Sequence, residues 1–266
     1  MDYRRLRAAV QHVSRLPEVI TCLGAMQRAP EVVAGYVGLK RLTLPYTARF
    51  RNGLAFKLEE YYDLETLWQI SFHAVYPLRP TDDVIIDAGA NVGLFTCWAA
   101  SRNPRASIVA VEPSPENFKR LQEHLRLNRL EQRVQALQVA LGSDRTTAWL
   151  STTASAGQML HLTDQSTPQA VAVEAIPLAD LLSQVPQRQI DFLKMDIEGS
   201  EYGVLMSVGP DQLARVRRLT VEYHPPASDR PHAKADLVRH LIACGYRSLD
   251  DRPGRAGYGL IHASRD

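Results

Sequence analysis

Residues 84–93 are Val84-Ile85-Ile86-Asp87-Ala88-Gly89-Ala90-Asn91-Val92-Gly93, an apolar run that ends on a carboxylate and is followed by two glycines. The apolar run predicts a strand that is buried on both faces, as strands of parallel sheets are. The glycines predict a tight turn at which a ligand can approach the backbone closely. Asp87 lies where the strand meets this turn, so we expect its carboxylate beside that ligand.

The charge of Asp87 narrows the identity of the ligand. A loop that binds pyrophosphate uses backbone N–H groups and a helix N-terminus, both of which attract anions. A carboxylate beside such a loop would repel a dinucleotide but would attract a cation. Among common nucleoside cofactors, S-adenosylmethionine carries a sulfonium and an ammonium group. The sequence therefore favours methyl transfer.

Length and composition predict one large α/β domain with an extension. The chain has 266 residues and a formal net charge of +2, from 31 basic and 29 acidic residues. The basic residues are scattered, so neither nucleic acid nor an anionic membrane is an expected partner. No segment approaches the ~20 apolar residues of a membrane span, and the first residues do not resemble a signal peptide. Cys22, Cys97 and Cys244 match no metal-binding spacing and predict buried free thiols in a cytoplasmic protein.

From residue 83 onward, segments typical of strands alternate with segments typical of helices. Strands are expected near residues 83–87, 107–112, 133–141, 190–196 and 217–223. Helices are expected near residues 92–102, 115–128, 200–207 and 232–244. Such alternation predicts a parallel sheet that is covered by helices on both faces.

Three hairpins are expected around this alternating region. Asn52-Gly53 predicts the turn of a hairpin over residues 43–58, and Asp63 is expected to cap the helix that follows. The other two hairpins are expected to pair residues 146–151 with 170–175 and residues 246–250 with 257–263. We therefore divide the chain into residues 1–80, a cap, lid or oligomerisation region, and residues 81–266, a cofactor-binding catalytic domain.

The cofactor site is predicted at the carboxyl ends of the first three core strands, where doubly wound sheets bind their ligands. Glu112 ends the second strand, where a carboxylate can accept hydrogen bonds from both ribose hydroxyls. Ser143 and Asp144 follow the third strand and offer polar groups to the adenine. The first turn leaves room for the cofactor and offers polar groups to its amino-acid portion through Asp87, Gly89, Ala90, Asn91 and Gly93.

Ionisable side chains cluster at the ends of the next two strands. Alternation along extended strands places Lys194, Asp196 and Glu198 on one face of the first strand, and Thr220, Glu222 and His224 on one face of the second. His224 is a candidate general base because histidine titrates near neutral pH. Lys194 is another candidate if burial lowers its pKa.

Two other roles for this cluster remain open. Asp196, Glu222 and Glu198 could hold Mg²⁺, which would acidify a substrate hydroxyl directly. The cluster could also be structural, with Lys194 neutralising its acidic neighbours and His224 fixing a loop. Asp196 is in addition expected to lie close enough to contact the cofactor.

Several short motifs of the chain match a known family. They are Asp87-Ala-Gly-Ala-Asn91-Val-Gly93, Val111-Glu112-Pro113 with Asn117, Ala140-Leu141-Gly142-Ser143-Asp144, Lys194-Met-Asp196-Ile-Glu198-Gly199-Ser-Glu201, and Glu222. Together they resemble the FkbM family of S-adenosylmethionine-dependent methyltransferases over roughly residues 45–263. The most specific motif is Lys-x-Asp-x-Glu-Gly-x-Glu, which generic methyltransferases lack.

The resemblance implies an α/β fold with the Rossmann-like sheet of class I methyltransferases, which has seven strands and an antiparallel last hairpin, here preceded by a helical N-terminal extension. It implies an O-methyltransferase that acts on a sugar, a glycoside or a polyketide-type natural product. Pro113 then belongs to the cofactor site. The region before the first core strand often folds over the cofactor in such enzymes, which makes lid candidates of Tyr61, Tyr62, Glu65 and Trp68, with Glu65 as a cofactor contact.

The expected partner is a small-molecule hydroxyl acceptor, and the N-terminal region is a candidate for contacts in a homo-oligomer. The N-terminal 40 residues fall outside the resemblance, and the linker Thr152–Gln169 is longer and more polar than a simple hairpin turn. Both are expected to shape the acceptor pocket. Two alternatives remain. One is a cofactor-binding partner protein without catalysis. The other is an NAD-dependent oxidoreductase, which would need Gly-x-Gly-x-x-Gly where this chain has Asp-x-Gly-x-x-x-Gly.

Overall fold

The run Val84–Ala88 forms an inner strand of a seven-stranded sheet in the computed structural model of the protein. The structure describes residues 15–151, 162–163, 170–225, 234–254 and 257–266. Its helices are α1 (Leu16–Ala25), α2 (Ala29–Tyr36), α3 (Tyr61–Ser71), α4 (Leu94–Arg102), α5 (Pro115–Asn128), α6 (Leu178–Gln184), α7 (Glu201–Met206), α8 (Pro210–Leu213) and α9 (Lys234–Ala243). Its strands are β1 (Tyr46–Arg49), β2 (Ala55–Leu58), β3 (Val84–Ala88), β4 (Ser107–Val111), β5 (Val134–Leu137), β6 (Ala140–Gly142), β7 (Thr146–Ser151), β8 (Leu162–Thr163), β9 (Ala170–Pro177), β10 (Ile190–Met195), β11 (Val216–Tyr223), β12 (Ser248–Pro253) and β13 (Gly259–Ser264).

The large sheet has the strand order β12-β13-β11-β10-β3-β4-β5. Strands β11, β10, β3, β4 and β5 are parallel, whereas β13 runs antiparallel to both of its neighbours, β11 and β12. This confirms the predicted doubly wound sheet with an antiparallel last hairpin. The strand order reverses between β3 and β10, and a crevice therefore opens beyond the carboxyl ends of these two strands.

Neighbouring residues of β3 enter two different hydrophobic layers. Ile85 belongs to the layer that also contains buried residues of α3, α4 and α5. Ile86 belongs to the layer that contains buried residues of α6, α7 and α9. The strand is thus buried on both faces, as its continuous apolar sequence predicts. The three cysteines are buried free thiols, which is also as predicted.

The β-hairpin of the N-terminal segment packs against helix α5. Strands β1 and β2 pair around the Asn52-Gly53 turn, which confirms the predicted hairpin. The backbone of Ala55 exchanges two hydrogen bonds with the side chain of Asn128 on α5. His124, one turn earlier on α5, accepts a hydrogen bond from the Lys57 N–H. A separate role of residues 1–80 as a cap or lid stays a prediction.

Two local predictions need correction. The strand expected over residues 133–141 is divided, because β5 ends at Leu137 and β6 leaves the large sheet to pair with β9 in a small four-stranded sheet. Asp63 is not the N-cap of α3. The helix is capped by Glu60, and Asp63 inside the first turn accepts hydrogen bonds from the N–H groups of Glu59 and Glu60.

The other two predicted hairpins are present. Strands β7 and β9 pair antiparallel within the small sheet, and β12 pairs antiparallel with β13 at the edge of the large one. Most of the Thr152–Gln169 linker lies outside the described residues, as does the N-terminal stretch before residue 15. No helix in the described part of the chain is both long and apolar enough to cross a membrane.

Candidate active site

A cavity of about 1280 Å³ lies at the carboxyl ends of the inner strands β3, β4, β10 and β11. Its walls come from the turn after β3, from α3, from the strand ends and from the β12–β13 hairpin. Pockets for one small ligand measure about 300–1,000 Å³. This cavity therefore has room for a nucleoside cofactor and a second small molecule.

Most of the predicted site residues line this cavity. They are Glu65, Gly89, Ala90, Asn91, Glu112, Pro113, Lys194, Asp196, Glu198, Glu222 and His224. Four others do not line it, namely Asp87, Gly93, Ser143 and Asp144. The fold thus brings the predicted cofactor side and the predicted catalytic side into one space.

Asp87 is buried below the cavity. Its side chain is fully shielded from solvent, and one carboxylate oxygen lies 3.0 Å from the ammonium nitrogen of Lys194. The other oxygen accepts a hydrogen bond from the hydroxyl of Thr96. The expected interaction of Asp87 with a cationic cofactor stays a prediction. The carboxylate compensates a buried lysine of the neighbouring strand.

Lys194 is held as a cation on β10. It donates a hydrogen bond of 2.6 Å to the carbonyl oxygen of Gly89, and its ammonium lies over the rings of Tyr76 and Phe95. Burial alone would lower the pKa of Lys194, but the charges of Asp87 and Asp196 outweigh it and raise the pKa. Lys194 therefore keeps its proton, and the condition under which it could act as a base is not met.

The two glycines of the turn serve packing between protein elements. Gly89 has φ of 79°, and a Cβ there would lie 1.7 Å from the carbonyl oxygen of Asp196. Gly93, at the start of α4, has φ of 86°, and a Cβ there would lie 2.5 Å from Leu121 on α5. The expectation that both glycines leave room for the cofactor is corrected, although Gly89 does line the cavity.

Glu112 connects the turn after β3 to the segment after β4 at the predicted cofactor side of the cavity. One of its carboxylate oxygens accepts the N–H of Asn91 at 2.8 Å and the other accepts the N–H of Ser114 at 2.9 Å. Burial raises the pKa of Glu112 to about 7, against the lowering effect of these two hydrogen bonds. Each carboxylate oxygen has two lone pairs, so the group can still accept ribose hydroxyls.

The predicted adenine contacts lie outside the cavity. Ser143 and Asp144 are exposed, and the hydroxyl of Ser143 donates to the carboxylate of Asp144. Ser143 and Asp144 lie there because β5 ends early and the chain then enters the small sheet as β6. The wall at this position is formed instead by the less polar residues Val139, Ala140 and Leu141.

His224 lies between two carboxylates. Its Nδ1 is 2.9 Å from Glu201 and its Nε2 is 3.1 Å from Glu198. Burial alone would lower the pKa of His224, but the hydrogen bonds and charges of Glu198 and Glu201 raise it to about 11. An imidazolium has no free lone pair, so this arrangement argues against His224 as the general base.

Asp196 and Glu222 form a second carboxylate pair, at the ends of β10 and β11. The hydroxyl of Tyr76 lies 3.4 Å from Asp196 and 3.3 Å from Glu222. Burial and the charge of Glu222 raise the pKa of Asp196 well above the ordinary aspartate value. Burial also raises the pKa of Glu222, although the charges of His224 and Lys194 oppose the rise. This pair can therefore take up a proton closer to neutral pH than ordinary carboxylates do.

A metal ion does not fit the donors around this pair. Asp196, Glu201 and His224 offer ligand atoms within 4.8 Å of one another, a different set from the predicted Asp196, Glu222 and Glu198. The ion would have to displace the proton of an imidazole whose two nitrogens both contact carboxylates. The imidazolium already supplies positive charge, so we assign no step of a reaction to a metal.

Two residues of the site, Glu201 and Tyr76, were not among the predicted site residues, and one lid candidate lies in the core. Glu201 is fully buried and accepts the N–H groups of Ile197 and Gly199, which shapes the turn that presents Glu198. Its place in the Lys-x-Asp-x-Glu-Gly-x-Glu motif was the available signal, whereas nothing in the sequence marked Tyr76. Tyr62 and Glu65 do line the cavity, but Trp68 is a core residue that stacks on Tyr36.

Comparison with known proteins identifies the family. A family model described as the methyltransferase FkbM domain matches residues 87–248. The chain belongs to this family. Methyltransferase 1 of Beauveria bassiana is 29% identical over 208 residues, which cover 70% of this chain and 83% of that protein. The 31-O-demethyl-FK506 methyltransferase FkbM of Streptomyces tacrolimicus is 26% identical over 197 residues, which cover 64% of this chain and 74% of that protein.

A solved structure shares the fold. It is methyltransferase FkbM from Methylobacillus flagellatus, which superposes with a TM-score of 0.52 at 15% sequence identity and covers 96% of this chain and 60% of its own. The fold is therefore the Rossmann-like fold of methyltransferases, and the FkbM-domain chain described here is a methyltransferase. Family membership selects methyl transfer over the nicotinamide-dependent alternative.

Proposed function

We propose that this FkbM-domain protein is an S-adenosylmethionine-dependent O-methyltransferase that acts on a hydroxyl of a sugar, a glycoside or a polyketide-type natural product. The observation that carries the proposal is the shared cavity, which Glu112 lines at the glycine turn and which Asp196 and Glu222 line at the neighbouring strand ends. S-adenosylmethionine would supply an activated methyl group on its sulfonium. The chain would supply orientation, a dry site and an acceptor for the proton.

The cofactor half of the cavity suits a nucleoside. Glu112 would accept the ribose hydroxyls, since its carboxylate is fixed by two backbone N–H groups and lines the cavity. Asn91 and Pro113 flank Glu112. The apolar residues Val139, Ala140 and Leu141 would form the wall beside the adenine. Lys194 lines the cavity and is paired with Asp87 below it, and the pair braces the turn.

The acceptor half of the cavity favours an uncharged compound that is rich in hydroxyls. Carboxylates of Glu65, Glu198 and Glu222 line it, and carboxylates accept hydrogen bonds from hydroxyls. The positive charges that line the cavity are each paired with carboxylates: Lys194 with Asp87, His224 with Glu198 and Glu201, Arg120 with Asp63, and Arg252 with Asp250. An anionic acceptor would meet excess negative charge at close range.

A transfer assay tests this function. The full chain is incubated with methyl-labelled S-adenosylmethionine and a panel of neutral glycosides, nucleotide sugars, uronic acids and polyketides. We expect label on an oxygen of a neutral acceptor, with the matched deoxy compound unlabelled, and the methylated atom is identified by NMR. If S-adenosylhomocysteine binds but no hydroxyl compound is labelled, the chain is a cofactor-binding protein without this activity. Label on nitrogen or carbon would contradict O-methylation.

A further inference from the structure

One contact of the site is not explained by cofactor binding, namely the hydroxyl of Tyr76 between two carboxylates. Tyr76 is buried and packs edge-on against Phe95, so its ring is fixed. A hydroxyl carries one hydrogen, and sharing it between two carboxylates at 3.3 and 3.4 Å gives two weak hydrogen bonds. The contacts are stronger if one carboxyl is protonated and donates to the tyrosine oxygen while the tyrosine donates to the other. The geometry therefore matches a pair of carboxyl groups that share one proton across Tyr76.

Lys194 and His224 are not available as proton acceptors, so the Asp196–Glu222 pair is the remaining candidate. Lys194 is paired with Asp87 and bound to the Gly89 carbonyl, and His224 is bound by Glu198 and Glu201. Neither cation has a lone pair to offer. Among the described residues, the titratable groups that face the pair are Tyr62, Tyr76, Asp87, Lys194, Glu198 and His224. The charges of Lys194 and His224 favour the ionised forms of both carboxyl groups, and Lys194 lies 3.9 Å from Asp196. Burial and the charge of Glu222 nevertheless raise the pKa of Asp196 well above its ordinary value, so we assign the shared proton to Asp196.

We propose that Glu222 receives the proton of the acceptor hydroxyl, and that Tyr76 is the positioning residue that couples Glu222 to a protonated Asp196. The inference rests on the proposed O-methyl transfer and names the base for it. In the step, the acceptor oxygen bonds to the methyl carbon while the carbon–sulfur bond breaks and its electron pair stays on sulfur. The hydroxyl proton moves to the Glu222 carboxylate, and charge and atoms balance.

The shared proton is tested without any acceptor, by carbon-13 NMR of the side-chain carboxyl groups in the full chain. We expect the Asp196 and Glu222 carboxyl signals to titrate together in two steps, as coupled groups do. Asp196→Asn and Glu222→Gln should each leave a single-step titration of the partner, and Tyr76→Phe should move both steps. The control is Tyr46→Phe, which removes a hydroxyl near Glu31 outside the cavity and should change neither step. If Asp196 and Glu222 titrate independently and Tyr76→Phe changes neither titration, the proposal is overturned. This outcome does not depend on whether an acceptor has been found.

The base is tested with an acceptor from the transfer assay. Glu222→Gln should lower kcat by at least about 100-fold, in the range of general base catalysis, while the affinity for S-adenosylhomocysteine stays within about twofold. Tyr76→Phe should shift the acidic limb of the pH profile of kcat. Full turnover in Glu222→Gln removes Glu222 as the base but leaves the methyltransferase function intact. The wild-type reaction in the same assay distinguishes failure of the base assignment from failure of the proposed methyltransferase function.

Discussion

At the scale of single residues, Glu112 connects cofactor binding to pH. Burial raises its pKa to about 7, so the carboxyl is partly protonated in the ligand-free protein near neutral pH. Hydrogen bonds from ribose hydroxyls favour the ionised form and would lower this pKa. Cofactor binding near pH 7 should therefore expel a proton from Glu112, and binding should tighten as the pH rises through the pKa.

We expect the affinity for S-adenosylhomocysteine to rise between about pH 6 and about pH 8, because Glu112 ionises over this range. Calorimetry at neutral pH in buffers of different ionisation enthalpy measures the proton released. Glu112→Gln should weaken binding and remove the buffer dependence. The control Asp144→Asn changes an exposed acid outside the cavity. This variant should keep both the affinity and the buffer dependence of the wild type. A buffer-independent heat in the wild type would argue against a ribose contact at Glu112.

Asp87 is expected to contribute to stability whether or not it contacts the ligand. Asp87→Asn removes the nearest countercharge of the buried Lys194 ammonium, the two side chains being 0% and 5% exposed. Removing one partner of such a pair costs about 3–5 kcal/mol. We expect the free energy of unfolding in urea to fall by this amount. The exposed pair Asp83–Arg105 provides the control, since Asp83→Asn should cost less than about 1 kcal/mol. If Asp87→Asn instead loses cofactor affinity while its stability is unchanged, Asp87 contacts the cofactor directly.

At the scale of elements, the close approach of β3 and β10 explains the glycine of the turn. A Cβ on Gly89 would lie 1.7 Å from the Asp196 carbonyl oxygen, in addition to the strain of a positive φ. Gly53 also has positive φ, but nothing lies within 4 Å of its Cβ position. We expect Gly53→Ala to cost about 1–3 kcal/mol, the strain alone, and Gly89→Ala to cost several kcal/mol more. Thermal denaturation compares them, and equal losses would contradict this role of Gly89.

The elements show which structural features local sequence can predict. Apolar runs and turn glycines are local signals, and they predicted the hairpins and most strands and helices within a few residues. The pairing of Asp87 with Lys194 depends on which strands become neighbours, and no local pattern encodes this. The same holds for the end of β5, since the preference of Ala140–Gly142 for β9 is decided by a strand much later in the chain. Ser143 and Asp144 were misplaced for this reason.

At the scale of the whole molecule, residues 15–80 share a hydrophobic layer with the catalytic sheet. Trp68 and Phe56 belong to the same cluster as Ile85, Leu121 and Phe192. The hairpin is further tied to α5 by Asn128 and His124. A wall of the cavity that includes Tyr62 and Glu65 therefore rests on the same core that positions the strand ends.

This common core predicts that the chain unfolds in one transition rather than in two units divided at residue 80. Trp68 reports on the N-terminal segment in a variant whose other two tryptophans, Trp98 and Trp149, are replaced by phenylalanine. Far-UV circular dichroism reports on the whole chain, and the two urea midpoints should coincide. Asn128→Ala removes the side chain that binds the Ala55 backbone, and it should move both midpoints together. An earlier midpoint for Trp68 alone would mean that the N-terminal segment opens as a separate cap, and the acceptor wall would then be free to move without the sheet.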